Sequence, residues 1–133
     1  MRWKGFEEFQ IETSLQVGPM HLASIRRAVT AGVTLVNGTD YPPGDPIGGT
    51  SVTVHEMELM QGAGLRPHLA LAGATSNAAR LLGLESQIGT VEQGKMADLV
   101  AVDENPLSDV SAMRGISLVI QSGRVVRDDR SAA

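Results

Sequence analysis

The chain has 133 residues, 42% of them hydrophobic, which fits one domain with a modest core and excludes a disordered chain. A formal net charge of −4 argues against nucleic acid or an anionic membrane as partner. There is no cysteine, so a disulfide framework, a thiolate metal site and a thiol nucleophile are all excluded.

No apolar run approaches the length of a membrane span, and Met1-Arg2-Trp3-Lys4 is not followed by a signal-peptide core. The expectation is a soluble cytoplasmic protein. Trp3, Phe6, Phe9 and Tyr41 are the whole aromatic complement. From Pro42 onward the core must be built from Leu, Val, Ile, Met and Ala, which bury less area per side chain than large aromatics.

Residues 1–18 show neither a cap nor strand alternation, so a helix and a loop both remain open there. Leu22, Ile25 and Val29 fall at i, i+3 and i+7, predicting an amphipathic helix over 20–31 with Arg26 and Arg27 turned away. Gly32 supplies the residue after the helix end. Val33–Val36 follows at once and reads as a strand buried on both faces, as in a parallel sheet. Asn37-Gly38-Thr39 then turns the chain and leaves Asp40 just beyond the strand, where α/β barrels place their chemistry. Taken alone, Gly38-Thr39-Asp40 reads first as a plain turn in which Asp40 bonds its own backbone.

Tyr41 to Thr50 holds three prolines and three glycines in ten residues, so it is a loop hung from the Asp40 end. Thr53 opens a predicted helix through Gln61, with capping-box spacing to Glu56 and with Met57 and Met60 on one face. Pro67 suits a first helical position, for a short helix to Ala74. Thr75 can cap a further helix from Ser76, with Ala78, Leu81 and Leu82 inward and Gly83 at its end. From Ile88 the periodicity changes. Leu99–Val102 reads as a strand, and Leu118–Gln121 and Arg124–Arg127 read as two strands joined by Ser122-Gly123, a two-residue hairpin signal.

The chain thus divides into helix–strand–helix units up to residue 83 and a small antiparallel sheet after it. Val33–Val36 has no candidate neighbour strand in the first part. A lone buried strand leaves both rows of backbone donors and acceptors unpaired, so its partners must come from elsewhere.

The ordered string of motifs resembles a known family. Ala31-Gly32-Val33 leads to Gly38-Thr39-Asp40, then to Glu56-Met57-Glu58-Leu59-Met60, Ala63-Gly64-Leu65, and the run Ala74-Thr75-Ser76-Asn77-Ala78-Ala79-Arg80-Leu81-Leu82-Gly83. Gly89-Thr90-Val91-Glu92-Gln93-Gly94-Lys95-Met96-Ala97-Asp98-Leu99-Val100, Asn105-Pro106-Leu107 and Gly123-Arg124-Val125-Val126 complete it. Over residues 20–127 this resembles the metal-dependent amidohydrolases, in their imidazolonepropionase-like and Xaa-Pro dipeptidase-like branch.

The resemblance implies an α/β fold: the C-terminal part of a (β/α)8 metal-dependent hydrolase barrel in residues 1–83, followed in 84–133 by antiparallel strands of a small β-sandwich. Val33–Val36 would be the last barrel strand. Asp40 would be the metal ligand and the catalytic base of a metal-activated water. The implied reaction is hydrolysis of a C–N bond in a small-molecule amide, cyclic amide or dipeptide, with a divalent metal, zinc, as cofactor. The family's His-x-His, its mid-barrel Lys or Glu and its two later His ligands have no counterpart. His21, His55 and His68 sit on predicted helices and fit none of those roles. One carboxylate cannot hold a catalytic zinc, which takes about three protein ligands, and a full barrel needs about 250 residues. The implied partner is therefore a missing N-terminal barrel half or a second copy of the chain. A reading from another class is a non-catalytic binding or assembly module that keeps part of the fold.

Other constellations carry less. Ser111 and Ser117 have no organised His/Asp partners, and no Gly-Lys-Ser/Thr follows Gly44–Gly49 to make a phosphate loop. Asp128 and Asp129 read as a solvated tail.

Overall fold

A computed structural model of the chain describes residues 8–40 and 52–130. The elements are α1 (Glu8–Thr30), α2 (Val52–Gly62), α3 (Pro67–Ala74), α4 (Ser76–Leu81), β1 (Leu99–Val102), a 3₁₀ turn (Val110–Arg114), β2 (Ile116–Gln121) and β3 (Arg124–Asp128).

The core forms where α2, α3 and the 3₁₀ turn meet. Val54, Met57 and Met60 fall on one face of α2 and are buried, as their i, i+3, i+6 spacing requires. They cluster with Leu65, Ala70 and Val110, and Val29 and Leu35 pack against the cluster from outside α2. Two polar contacts lock the 3₁₀ turn onto α2. Gln61 Oε1 accepts the Val110 N–H at 3.1 Å, and Glu58 takes a two-pronged pair of bonds from Arg114 at 2.6 and 2.7 Å. The planar guanidinium matches both carboxylate oxygens, the strongest form of such a pair.

The sheet has the order β1-β2-β3, antiparallel throughout. β1 keeps the bounds its sequence predicts. The hairpin also forms as predicted: Ser122 (φ 49°) and Gly123 (φ 78°) are both left-handed, the backbone of a two-residue turn that matches strand twist. Asp98 Oδ1 accepts the Ser122 N–H at 2.7 Å, and the Ala97 carbonyl accepts from Gly123 at 3.0 Å, so the residues before β1 hold the hairpin tip.

Three expectations change, and one stretch left open is settled. Residues 8–18, left open between helix and loop, are helical, and α1 runs on through Pro19. Its first half stands clear of the described core, with Phe9, Leu15 and Met20 exposed. α2 starts at Val52, which puts Thr53 inside the first turn. On α4, Ala79 is the buried residue while Leu81 and Leu82 are exposed, and the Thr75 hydroxyl donates back to the Leu71 carbonyl at 2.7 Å rather than capping α4. The six-residue helix is too short for its periodicity to select a face; packing of Ala79 against the Gly89 backbone selects it instead.

The largest correction concerns Val33–Val36. It carries no strand ladder, and Val33 is 54% exposed. The reason is the one visible in the sequence: among the described residues no strand lies beside it to pair with.

Candidate functional site

The chain leaves α1 through a defined exit. Gly32, at φ 71°, donates to the Val29 carbonyl at 3.1 Å, and Val33 donates to the Ala28 carbonyl at 3.0 Å. This crossed pair is the Schellman ending, and it aims the following segment at the helices behind it.

Residues 33–37 then cross the ends of three helices. The Leu35 side chain packs against the core. The Asn77 side-chain amide, from α4, donates to the Leu35 carbonyl at 3.2 Å. The Asn37 N–H donates to the Gly73 carbonyl of α3 at 3.0 Å. The Asn37 side-chain amide donates to the Thr53 carbonyl of α2 at 3.1 Å. A groove of about 210 Å³ runs beside the segment, lined among others by Val29, Val33, Leu35, Leu65, Leu69 and Asn77.

Past this anchored stretch, Gly38 and Thr39 lead to Asp40, which is exposed and left-handed at φ 51°. That backbone costs an L-residue about 1–2 kcal/mol, and Asp is one of the few side chains that adopt it with any frequency. Such outliers gather at functional sites, so the observed one is a reason to look for function at Asp40. The loop Tyr41–Thr50, expected to shape a substrate mouth, lies outside the described residues.

The histidines do not converge on this carboxylate to complete a metal site. His21 and His68 are exposed on α1 and α3. His55 sits on α2 with its Nδ1 3.4 Å from Glu58 Oε2. The Arg114 hydrogen bond is the main influence on Glu58 and holds its carboxyl below the usual range; burial pulls the other way, and His55 adds a smaller lowering. Glu58 is thereby committed to an ion pair. Among the described residues no three His, Asp or Glu side chains come together to hold a metal ion. The described residues therefore do not fit a complete metal centre; Asp40 offers one carboxylate toward about three protein ligands. A separate cleft of about 370 Å³ lies between α4 and the segment leading into β1, lined by Ala79, Leu82, Ile88, Met96 and Val100 among others, and Asp40 does not line it.

In the sequence Asn37 reads only as part of a turn and Asn77 only as one residue of the run from Ala74 to Gly83, while Gly73 carries no signal of its own. The side-chain amides of Asn37 and Asn77 bond backbone 16 and 42 residues away, and the Gly73 carbonyl accepts from the Asn37 backbone N–H; no local spacing signals such contacts.

Residues 10–126 match the amidohydrolase family. An imidazolonepropionase from Symbiobacterium thermophilum is 33% identical over 110 residues, covering 80% of this chain and 26% of that protein. A 5-methylthioadenosine/S-adenosylhomocysteine deaminase from Moorella thermoacetica is 33% identical over 149 residues, covering 90% of this chain and 35% of its own length. The crystal structure of a Xaa-Pro dipeptidase with methionine bound in its active site superposes with a TM-score of 0.79 at 32% identity, over 92% of this chain and 29% of that one. The chain thus spans between about a quarter and a third of the relatives it matches.

Proposed function

The chain belongs to the amidohydrolase family, and from that premise we propose that it is the C-terminal part of a metal-dependent hydrolase of C–N bonds in which Asp40 is metal ligand and general base. Residues 1–83 would close the barrel and residues 84–133 would contribute strands to a small β-sandwich. The substrate class is a small-molecule amide, cyclic amide or dipeptide. The cofactor is a divalent cation, zinc, whose other ligands lie outside this chain.

One observation carries the reading: an exposed carboxylate, in a left-handed backbone, at the end of a segment anchored to three helices. A divalent cation lowers the pKa of a bound water toward neutrality. The part asked of this chain is Asp40's. Its carboxylate would accept the proton of the attacking water and return it to the leaving nitrogen, which requires a base held at a fixed place. The share of the relatives' length that the chain covers supports a site completed by further polypeptide.

The test is to assemble the chain with a polypeptide supplying the rest of the barrel, load zinc, and assay N-acyl amino acids, cyclic amides and dipeptides. The expected result is turnover that a chelator abolishes and added metal restores. Absence of turnover on every one of these substrates by a folded, metal-loaded assembly would contradict the proposal.

A further inference from the structure

We propose that Asn77 is a positioning residue for Asp40, acting through the backbone of Leu35 together with Asn37 and Gly73. Its significance rests on Asp40 being the ligand and base, but the geometry stands on its own.

The Leu35 carbonyl and the Asn37 N–H are the pair of groups that one residue of a neighbouring parallel strand engages, giving its N–H to the first and its C=O to the second. Here two helices supply that pair. Asn77 Nδ2 donates to the Leu35 carbonyl at 3.2 Å. The Gly73 carbonyl accepts from the Asn37 N–H at 3.0 Å. An α-helix leaves its last carbonyls without intrahelical partners, and Gly73 is the penultimate residue of α3, so its acceptor is available. The side-chain amide at 77 stands in for the N–H that a strand would bring.

The requirement for Asn at 77 is chemical. A carbonyl facing it needs a donor, which a carboxylate of the same shape lacks, and a leucine of similar volume would leave the half-buried oxygen unsatisfied. Gly73 is required for space. A side-chain carbon added there would lie 3.3 Å from the Leu35 oxygen and 3.7 Å from the Asn37 nitrogen. The first distance is tight, so the Leu35 carbonyl would have to give by a few tenths of an ångström at the atom that Asn77 holds; the second is an ordinary contact. The third bond, Asn37 Nδ2 to Thr53 at 3.1 Å, ties the same residue to α2. Asn37 is thus bonded to two helices, through its backbone to α3 and its side chain to α2, three positions before Asp40. A base in a left-handed backbone stays there only if its surroundings over-determine it, and these three bonds fix the segment up to Asn37, three positions before Asp40.

The experiment uses the isotope-labelled chain in solution. In the unaltered protein, a scalar coupling across the hydrogen bond from the Asn77 side-chain nitrogen to the Leu35 carbonyl carbon is expected. In Asn77→Leu the Asn37 amide should exchange about fivefold faster, the effect of losing one ordinary hydrogen bond. The three-bond coupling that reports the left-handed φ of Asp40 should average toward that of a free residue, while β1–β3 amides keep their protection. A purely structural loss would lower protection throughout and would not single out Asp40. The proposal is overturned if Asn77→Leu folds with Asn37 exchange and the Asp40 coupling unchanged. Should that variant fail to fold, the unaltered protein decides: absence of the coupling across the 77–35 bond overturns the proposal, and its presence supports it. Failure of the catalytic reading is distinguishable, because it would show in the activity of Asp40→Ala and leave these spectra as they are.

Discussion

Gly89 and Gly94 provide a matched pair for measuring what packing around α4 contributes. Both are left-handed, at φ 93° and 91°. Their surroundings differ. An alanine at 89 would put its Cβ 2.6 Å from the Cβ of Ala79, which is 2% exposed, and 3.2 Å from Ser76 Cα and the Thr75 oxygen. At 94 nothing lies within 4 Å. Gly94→Ala should therefore lose only the backbone preference, about 1–2 kcal/mol. Gly89→Ala should lose that and a further ~1–3 kcal/mol for overpacking a filled site against backbone. Any stabilisation from stiffening the unfolded chain applies to both and cancels in the difference. Urea titrations followed by far-ultraviolet circular dichroism would measure it, with the m-values compared to check that the unfolded states match. Equal losses at the two positions, or a smaller loss at 89, would refute the packing of α4 against the segment leading into β1.

Met57→Ala removes a side chain that is 2% exposed at the centre of the core and should cost about 2–5 kcal/mol in the same titration; a loss near zero would mean that α2 does not pack as described. Glu58 carries a pH dependence of defined sign. Its folded pKa lies below the ordinary 4.5 because of the Arg114 bond, so the stabilisation is complete above that value and is lost as pH falls through the folded pKa. Glu58→Gln should accordingly be less stable near neutrality and converge with the unaltered protein on acidification, and parallel curves of unfolding midpoint against pH would contradict this. The 133-residue chain by itself should hydrolyse no amide or dipeptide and retain no stoichiometric zinc after dialysis, since one carboxylate does not make a site; metal analysis after exhaustive dialysis checks it.

The parts of the fold that were legible in the sequence are those decided locally. Ser122-Gly123 specifies its turn by backbone preference, and Pro67 opens α3 because a first helical position needs no N–H. Met57 and Met60 read as inward because α2 is long enough for its period to select a face. Val33–Val36 was legible as apolar and β-branched, and even its lack of a neighbour could be anticipated; what could not be read was that Asn77 and the Gly73 carbonyl would take a strand's place at one end of it. Leu81 and Leu82 read as inward on hydrophobicity alone, yet contact with Gly89 turned Ala79 in and left them out. Asp40 was legible as a candidate from its place after Val33–Val36. Its left-handed backbone and the bonds that lead to it depend on contacts 16 to 42 residues away in the chain.

The measurement that bears most directly on the catalytic claim is the activity and bound zinc of the assembled enzyme carrying Asp40→Ala. Asp40 is exposed and contributes no core packing, so the assembly should fold as before, with zinc weakened and turnover abolished because ligand and base are lost together. Full turnover with full zinc in that variant would contradict the role of Asp40 and, with it, the reading of this chain as part of the catalytic site.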